Sequence, residues 1–288
     1  MKKLSWLMGF VGFLISLSLQ AEMQITHIPP EAENDIRSQY YLDLLKLVLK
    51  RTENGFGPAR LREAQVRIKQ SRAVQLVRDN AGLDIMWTMT SKEREEQLLP
   101  IRIPIQKGLL GHRIFIIQKG AQKQFDEIVR LEQLAKLEAG QGHDWPDTKI
   151  LRANGLKVRT NGDYNGLFRM LEGGRFDYYP RGVAEPFLEV KNRSDMAIEI
   201  EKKLLLKYPA PIFFFVNKNN LELANRIETG LRLMIDDGSF DEFFISHPAI
   251  KPILEQANIK GRLIFELENP LLTDETQQIL ADPSLWYR

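Results

Sequence analysis

Arg94 lies in a stretch, WTMTSKERE (87–95), that places three hydroxyl side chains, Thr88, Thr90 and Ser91, just ahead of a fixed positive charge. A guanidinium holds a carboxylate through two parallel N–H bonds, and backbone amides at a strand-to-helix turn add further donors. The stretch follows a strand-like run at 83–86 and precedes the proline-punctuated segment PIRIPIQ (100–106). Two arrangements fit. In one, Ser91 caps a short helix and Arg94 pairs with Glu95 or another acid at the surface, a weak interaction. In the other, Arg94 with Thr88 and Thr90 forms half of an anion-binding site beside a hinge, with Trp87 as an aromatic contact.

Two further stretches carry polar groups suited to the same ligand. YYPRGVAE (178–185) contains Arg181, either a second ligand-facing cation or a partner of Asp177 or Glu185. AGQGHDWPD (139–147) reads as a glycine-rich loop in which Gly140 and Gly142 allow close backbone approach. Asp147 or Thr148 can cap the helix that follows. His143, Asp144 and Trp145 can line a site, Trp145 by stacking; the plainer reading packs Trp145 as core. Tyr179 is kept with Trp87 as an aromatic contact, while Tyr40, Tyr41 and Tyr178 read as core. His143 beside two aspartates raises a metal site, but His27, His112 and His247 lack ligand spacing, so neither metal nor cofactor is expected. The G-x-G is too short for a dinucleotide fingerprint. DDGS (236–239) lacks the alternating acids of a calcium loop and reads as a helix stop.

The elements that must position these groups alternate. EMQITHIP (22–29) predicts a strand, and Asp35 can cap the helix IRSQYYLDLLKLVLKR (36–51), which is apolar on one side. ARLREAQVRIKQ (59–70) predicts a weak strand. Ser71 can cap a helix running to Gly82, and LDIMW (83–87) is the next strand. This β-α-β-α-β order predicts a parallel sheet with helices on its faces. A second alternating unit follows from about residue 108 to 208: strands HRIFIIQK, LKVRT and RFDYYP, with helical segments between. LLLKYPAPIFFFVNK (204–218) holds two prolines within an apolar run, which predicts a crossing between units rather than a central strand. The segment at 221–244 begins as an amphipathic helix stopped near Gly238, and the turn-rich tail 247–288 is expected to wrap the first unit.

The first 21 residues carry Lys2, Lys3, an apolar run and a small residue at Ala21, the pattern of a cleaved secretory leader. Its removal takes two lysines and no acid, so the net charge of +2 falls to zero. That argues against nucleic-acid binding, which needs a phosphate-neutralising excess. The chain has no cysteine, which excludes disulfides, thiolate metal sites, cysteine nucleophiles and a lipid-modified N-terminal cysteine. No G-x-S-x-G, H-E-x-x-H or P-loop pattern is present.

Four stretches together resemble the type II periplasmic solute-binding proteins, specifically the extracellular solute-binding proteins of family 3, which include amino-acid receptors. These are LDIMWTMTSKERE, GLLGHRIFIIQK, LEGGRFDYYPRGVAE and FFFVNKNNLELANRIETGLRLMIDDGSFDEFF, in the family's order over nearly the whole chain after the leader. The resemblance implies an α/β fold of two lobes, each a mostly parallel sheet flanked by helices, joined by two crossings near 100–108 and 207–213. The expected division is 1–21 leader, 22–107 plus 209–288 first lobe, and 108–208 second lobe. It implies that Arg94 binds a ligand carboxylate with Thr88 or Thr90 donating. The family's amine-accepting acid falls where this chain has Arg181 and Gly182, and Glu185 lies a turn further on. Two arginines in one cleft would suit a ligand with two acidic groups, or one without an amine.

The function expected on this basis is capture of a small polar, carboxylate-bearing, amino-acid-like solute in the periplasm. The protein would act as a monomer that presents its solute to a membrane permease of ABC type or to a sensor, without catalysis. Two alternatives stand beside it: a dehydratase-like enzyme on the same fold, using Glu185, Asp144 or His143, and a diverged sensory or structural protein with no diffusible ligand.

Overall fold

A computed structural model describes residues 22–29, 36–65 and 68–287. The leader and the Asp35 cap lie outside the described residues. Twelve strands form among them. They are β1 (Met23–His27), β2 (Ala59–Glu63), β3 (Ile85–Met89), β4 (Leu99–Ile101), β5 (His112–Gln118), β6 (Glu138–Gly142), β7 (Lys157–Asn161), β8 (Tyr178–Gly182), β9 (Ile198–Ile200), β10 (Leu204–Lys207), β11 (Ile212–Val216) and β12 (Leu263–Glu266). One sheet has the order β2-β1-β3-β11-β4, and the other β12-β10-β5-β8-β6-β7 with β9 paired to β5.

Both sheets are flanked by helices, but they are mixed rather than mostly parallel. Strands linked by a helix within a lobe, β1 with β2 and β6 with β7, pair in parallel, as a helical crossover requires. Strands that arrive from the other lobe have no such helix to reverse them. Thus β11 runs antiparallel to β3, and β5 runs antiparallel to β8. The prolines of KYPAP fall between β10 and β11, so β11 is a fully buried inner strand after all. Its phenylalanines at 213, 214 and 215 alternate between the two faces of its sheet, where apolar clusters lie beneath the flanking helices.

Helix Ile36–Arg51 packs Tyr40, Leu44, Leu45 and Val48 inward. Its last carbonyls are closed by the fully buried Arg226, whose Nη2 donates to Leu49 O at 3.2 Å and to Gly57 O at 2.7 Å. A cation at a helix C-terminus satisfies carbonyls that have no partner in the helix. Helix Gln70–Arg78 starts one residue before Ser71, which therefore lies inside it instead of capping it, and it ends well short of Gly82.

AGQGHDWPD is not a loop in its first half. Residues 138–142 form β6, and its glycines serve packing: a Cβ on Gly140 would lie 2.2 Å from the Phe176 ring, and one on Gly142 2.4 Å from the Trp145 ring. Neither Asp147 nor Thr148 caps the next helix, Pro146–Ala153; it opens at Trp145 with Pro146 in its first position.

The chain passes between the sheets after β4 and after β10, where the crossings are expected, and then twice more. The tail leaves the first lobe to set β12 beside β10, with register Leu204↔Leu263 to Lys207↔Glu266. An edge strand with open hydrogen-bonding groups is thereby covered. The tail then returns: Lys92 N–H donates to Leu271 O at 2.7 Å, and the Trp286 ring packs on Gly108 in the first crossing. Part of it therefore completes the second sheet instead of wrapping the first lobe.

Candidate functional site

The ends of β3 and β8 and the start of β5 face each other across a cavity of about 140 Å³. The first-lobe wall includes Tyr41, Gln70, Trp87, Thr88 and Arg94, and the second-lobe wall Arg113, Trp145, Asp147, Arg181 and Glu185. A wider opening of about 560 Å³ adjoins it, sharing Arg94, Trp145 and Pro146 and adding His143, Asp144 and Lys149.

Arg94 is buried on the short helix Lys92–Gln97, whose N-terminus Ser91 does cap. Its Nη1 donates to Thr88 Oγ1 and, at 2.7 Å, to Met89 O, while Nη2 donates to Gln70 Oε1 at 2.9 Å. These partners fix the guanidinium plane at the cavity wall. Glu95 does not pair with Arg94; it turns the other way, towards Arg102 at 2.7 Å. Trp87 stacks on Tyr41 with ring centroids 5.3 Å apart, which makes a flat apolar wall.

On the opposite lobe, two buried arginines share three carboxylates. Arg113 Nη2 lies 2.6 Å from Asp147 Oδ1, which also accepts the Tyr208 hydroxyl. Arg181 is bound twice by Glu189, with Nε to Oε2 at 2.9 Å and Nη2 to Oε1 at 2.7 Å. Glu185 lies between them, 3.0 Å from Arg181 and 3.7 Å from Arg113. Burial works against the Arg181 charge, yet Glu185 and Glu189 beside it hold the guanidinium above its ordinary range. Arg113 is likewise raised, with burial opposed by Asp147. The Arg181 guanidinium also lies 4.9 Å from the Trp145 ring centroid and 5.0 Å from that of Tyr179.

Of the residues singled out in the sequence, Trp87, Thr88, Arg94, Trp145 and Arg181 line the inner cavity. His143 and Asp144 line the outer opening instead. There Asp144 Oδ2 accepts the Ser71 amide N–H at 3.4 Å, and Lys149 reaches Glu93 at 2.8 Å, so both contacts join the lobes. Thr90 is fully buried and turned away, its hydroxyl given to Glu95 Oε1 at 2.5 Å. Tyr179 is fully buried against Phe168 and Phe176 and belongs to the core. Glu185, a turn beyond Arg181 in the sequence, reaches the cavity, because its carboxylate folds back onto the Gly182 N–H at 2.7 Å. Sequence reading missed Gln70 and Arg113 and set Tyr41 aside as core. Arg113 becomes visible only through the antiparallel register that sets it opposite Gly182. Among the described residues, no group of three or more His, Cys, Asp or Glu side chains could hold a metal ion, and no helix is long and apolar enough to cross a membrane.

No family model and no curated protein matches the sequence. Solved structures do match in three dimensions. An ancestral arginine-binding protein bound to glutamine aligns with a TM-score of 0.57 at 20% identity, over 79% of this chain and 98% of that one. An ancestral arginine-binding protein bound to arginine gives 0.55 at 20%, over 77% and 96%. A periplasmic binding protein of Salmonella typhimurium with high arginine specificity gives 0.55 at 15%, over 77% and 97%. At these identities the likeness establishes the architecture: the chain has the two-lobe, type II fold of periplasmic amino-acid-binding proteins.

Proposed function

We propose that the protein is a periplasmic solute-binding protein that captures a small, carboxylate-bearing, amino-acid-like solute between its lobes, without catalysis. It would deliver that solute to an ABC-type membrane permease or a sensor. The observation that carries this reading is the pairing of charges across one small cavity. Arg94 is fixed on the first lobe, and the Glu185 and Asp147 carboxylates stand on the second. An α-amino acid presents a carboxylate and an ammonium, and this cavity offers a partner for each. Arg181 is already bound by Glu185 and Glu189, so it does not add the second carboxylate partner that a dicarboxylate would need. The lobe-to-lobe contacts at Asp144 and Lys149 fit a closed arrangement, and the two expected crossings would serve as the hinge. The basic, apolar start of the sequence supports export, and a monomer suffices for this role.

Binding to the folded state raises its stability by mass action, by about 2.7 kcal/mol at a ligand concentration 100 times the dissociation constant. A thermal-shift screen of residues 22–288 against L-amino acids, dicarboxylates and short peptides tests the reading. A clear shift with free L-amino acids is expected. Shifts confined to dicarboxylates, or none across the panel, would sink it.

A further inference from the structure

We propose that Gln70 is an internal stand-in for one oxygen of the ligand carboxylate, and that it sets the affinity threshold of the cleft. The proposal rests on the reading above, that Arg94 and Thr88 take a ligand carboxylate. Gln70 opens helix Gln70–Arg78, and its side chain lines the inner cavity. Its Oε1 accepts from Arg94 Nη2 at 2.9 Å and from Thr88 Oγ1 at 3.2 Å. Those are two of the donors that a bound carboxylate oxygen would use. The amide oxygen has the lone pairs of a carboxylate oxygen without its charge.

This arrangement makes ligand entry an exchange. A carboxylate replaces a neutral acceptor with an ionised one, and so adds to the charge-assisted bond from Arg94 the attraction of a full opposite charge that the amide oxygen lacks. A neutral ligand gains nothing by the same exchange. Gln70 thus lowers the apparent affinity of every ligand by one common factor and leaves detectable binding to carboxylates. The exchange takes place where the lobes meet, because the next residue, Ser71, gives its amide N–H to Asp144 Oδ2 of the second lobe.

The common factor is the test. Titration calorimetry would compare the wild-type protein with Gln70→Ala and Gln70→Glu, using L-arginine, L-lysine, L-glutamine and the α-carboxamides of the same three. Gln70→Ala is expected to tighten every ligand that binds by about tenfold, the worth of one hydrogen bond to a charged group, with the carboxylate-to-carboxamide ratio unchanged. Gln70→Glu places a permanent carboxylate on Arg94 and is expected to abolish binding while raising the melting temperature. Weaker binding by Gln70→Ala, or a changed ratio, would mean that Gln70 touches the ligand directly and would overturn the proposal. Unaltered affinity in Gln70→Ala, or full binding by Gln70→Glu, would overturn it and leave the solute-binding reading standing. Absence of binding by the wild type and Gln70→Ala alike would remove both.

Discussion

The Glu185 carboxylate lies between two buried arginines, 3.0 Å from Arg181 Nη2 and 3.7 Å from Arg113 Nη1. With Asp147 and Glu189 it brings the second-lobe wall close to neutral and gives the cavity a negative edge. Glu185→Gln keeps the shape and the acceptor for the Gly182 N–H but removes that charge. Free L-amino acids should then bind more weakly by roughly 1.5–3 kcal/mol, the range for a lost charged hydrogen bond. Dicarboxylates should bind more tightly than they do to the wild type. Calorimetric titration of one ligand from each class measures both signs. A uniform loss for both classes would show that Glu185 only positions its neighbours.

Arg94 is held in plane by Thr88 and Met89 O, so its geometry is set before any ligand arrives. Preorganised, planar donors are what lysine cannot reproduce. Arg94→Lys should weaken carboxylate binding by about 2–3 kcal/mol, within the range for lost charge-assisted bonds, while circular dichroism stays native. Arg94→Ala should abolish binding. Retention of wild-type affinity by the lysine variant would assign Arg94 to structure alone.

Arg181 and Glu189 form a bidentate pair deep in the second lobe, away from bulk water. Removing one member leaves the other charge buried with fewer partners. Glu189→Ala should therefore cost about 3 kcal/mol, the lower end of the range for a broken buried pair, because Glu185 remains beside Arg181. For a domain of this size that corresponds to a melting temperature lower by roughly 10 °C. The double change Arg181→Met with Glu189→Leu should cost less than the sum of the two single changes, since the paired charges leave together and Glu185 keeps Arg113 at 3.7 Å.

Much of the frame is legible in the sequence where the signal is local. Helix 36–51 repeats its apolar side every three to four residues, and the structure ends it at Arg51 as expected. Strand β5 is a run of β-branched and aromatic residues that no other element would suit. What escapes is set by distant partners. Gly140 and Gly142 look like loop residues until Phe176 and Trp145 arrive to fill the space their missing side chains leave. Arg113 reads as the start of a strand, and only the antiparallel register with β8 carries it to the cavity. Of the hydroxyls of WTMTSKERE, Thr88 lies within β3 and lines the cavity, while Thr90 lies just past the end of that strand, where its hydroxyl goes to Glu95. The tail's β12 has no pattern of its own that names β10 as its partner.

Glu95 ties that tail to the first lobe, and the tie should depend on pH. Its Oε1 accepts from Thr90 at 2.5 Å and Thr276 at 2.7 Å, and its Oε2 accepts from Thr273 at 2.9 Å and Arg102 at 2.7 Å. Burial pushes the carboxyl up, but the hydroxyls of Thr90, Thr276 and Thr273 together with the Arg102 charge outweigh it and hold its pKa below the ordinary 4.5. A depressed pKa means that folding favours the ionised form. The stability it confers is complete above the unfolded value and is lost as pH falls through the folded one. Glu95→Gln should therefore be less stable than the wild type at about pH 7, with a gap that narrows steadily below about pH 4.5. Urea unfolding of both proteins across that range, read by tryptophan fluorescence, measures the gap. Constancy of the gap down to about pH 3 would show that the network works through shape rather than charge.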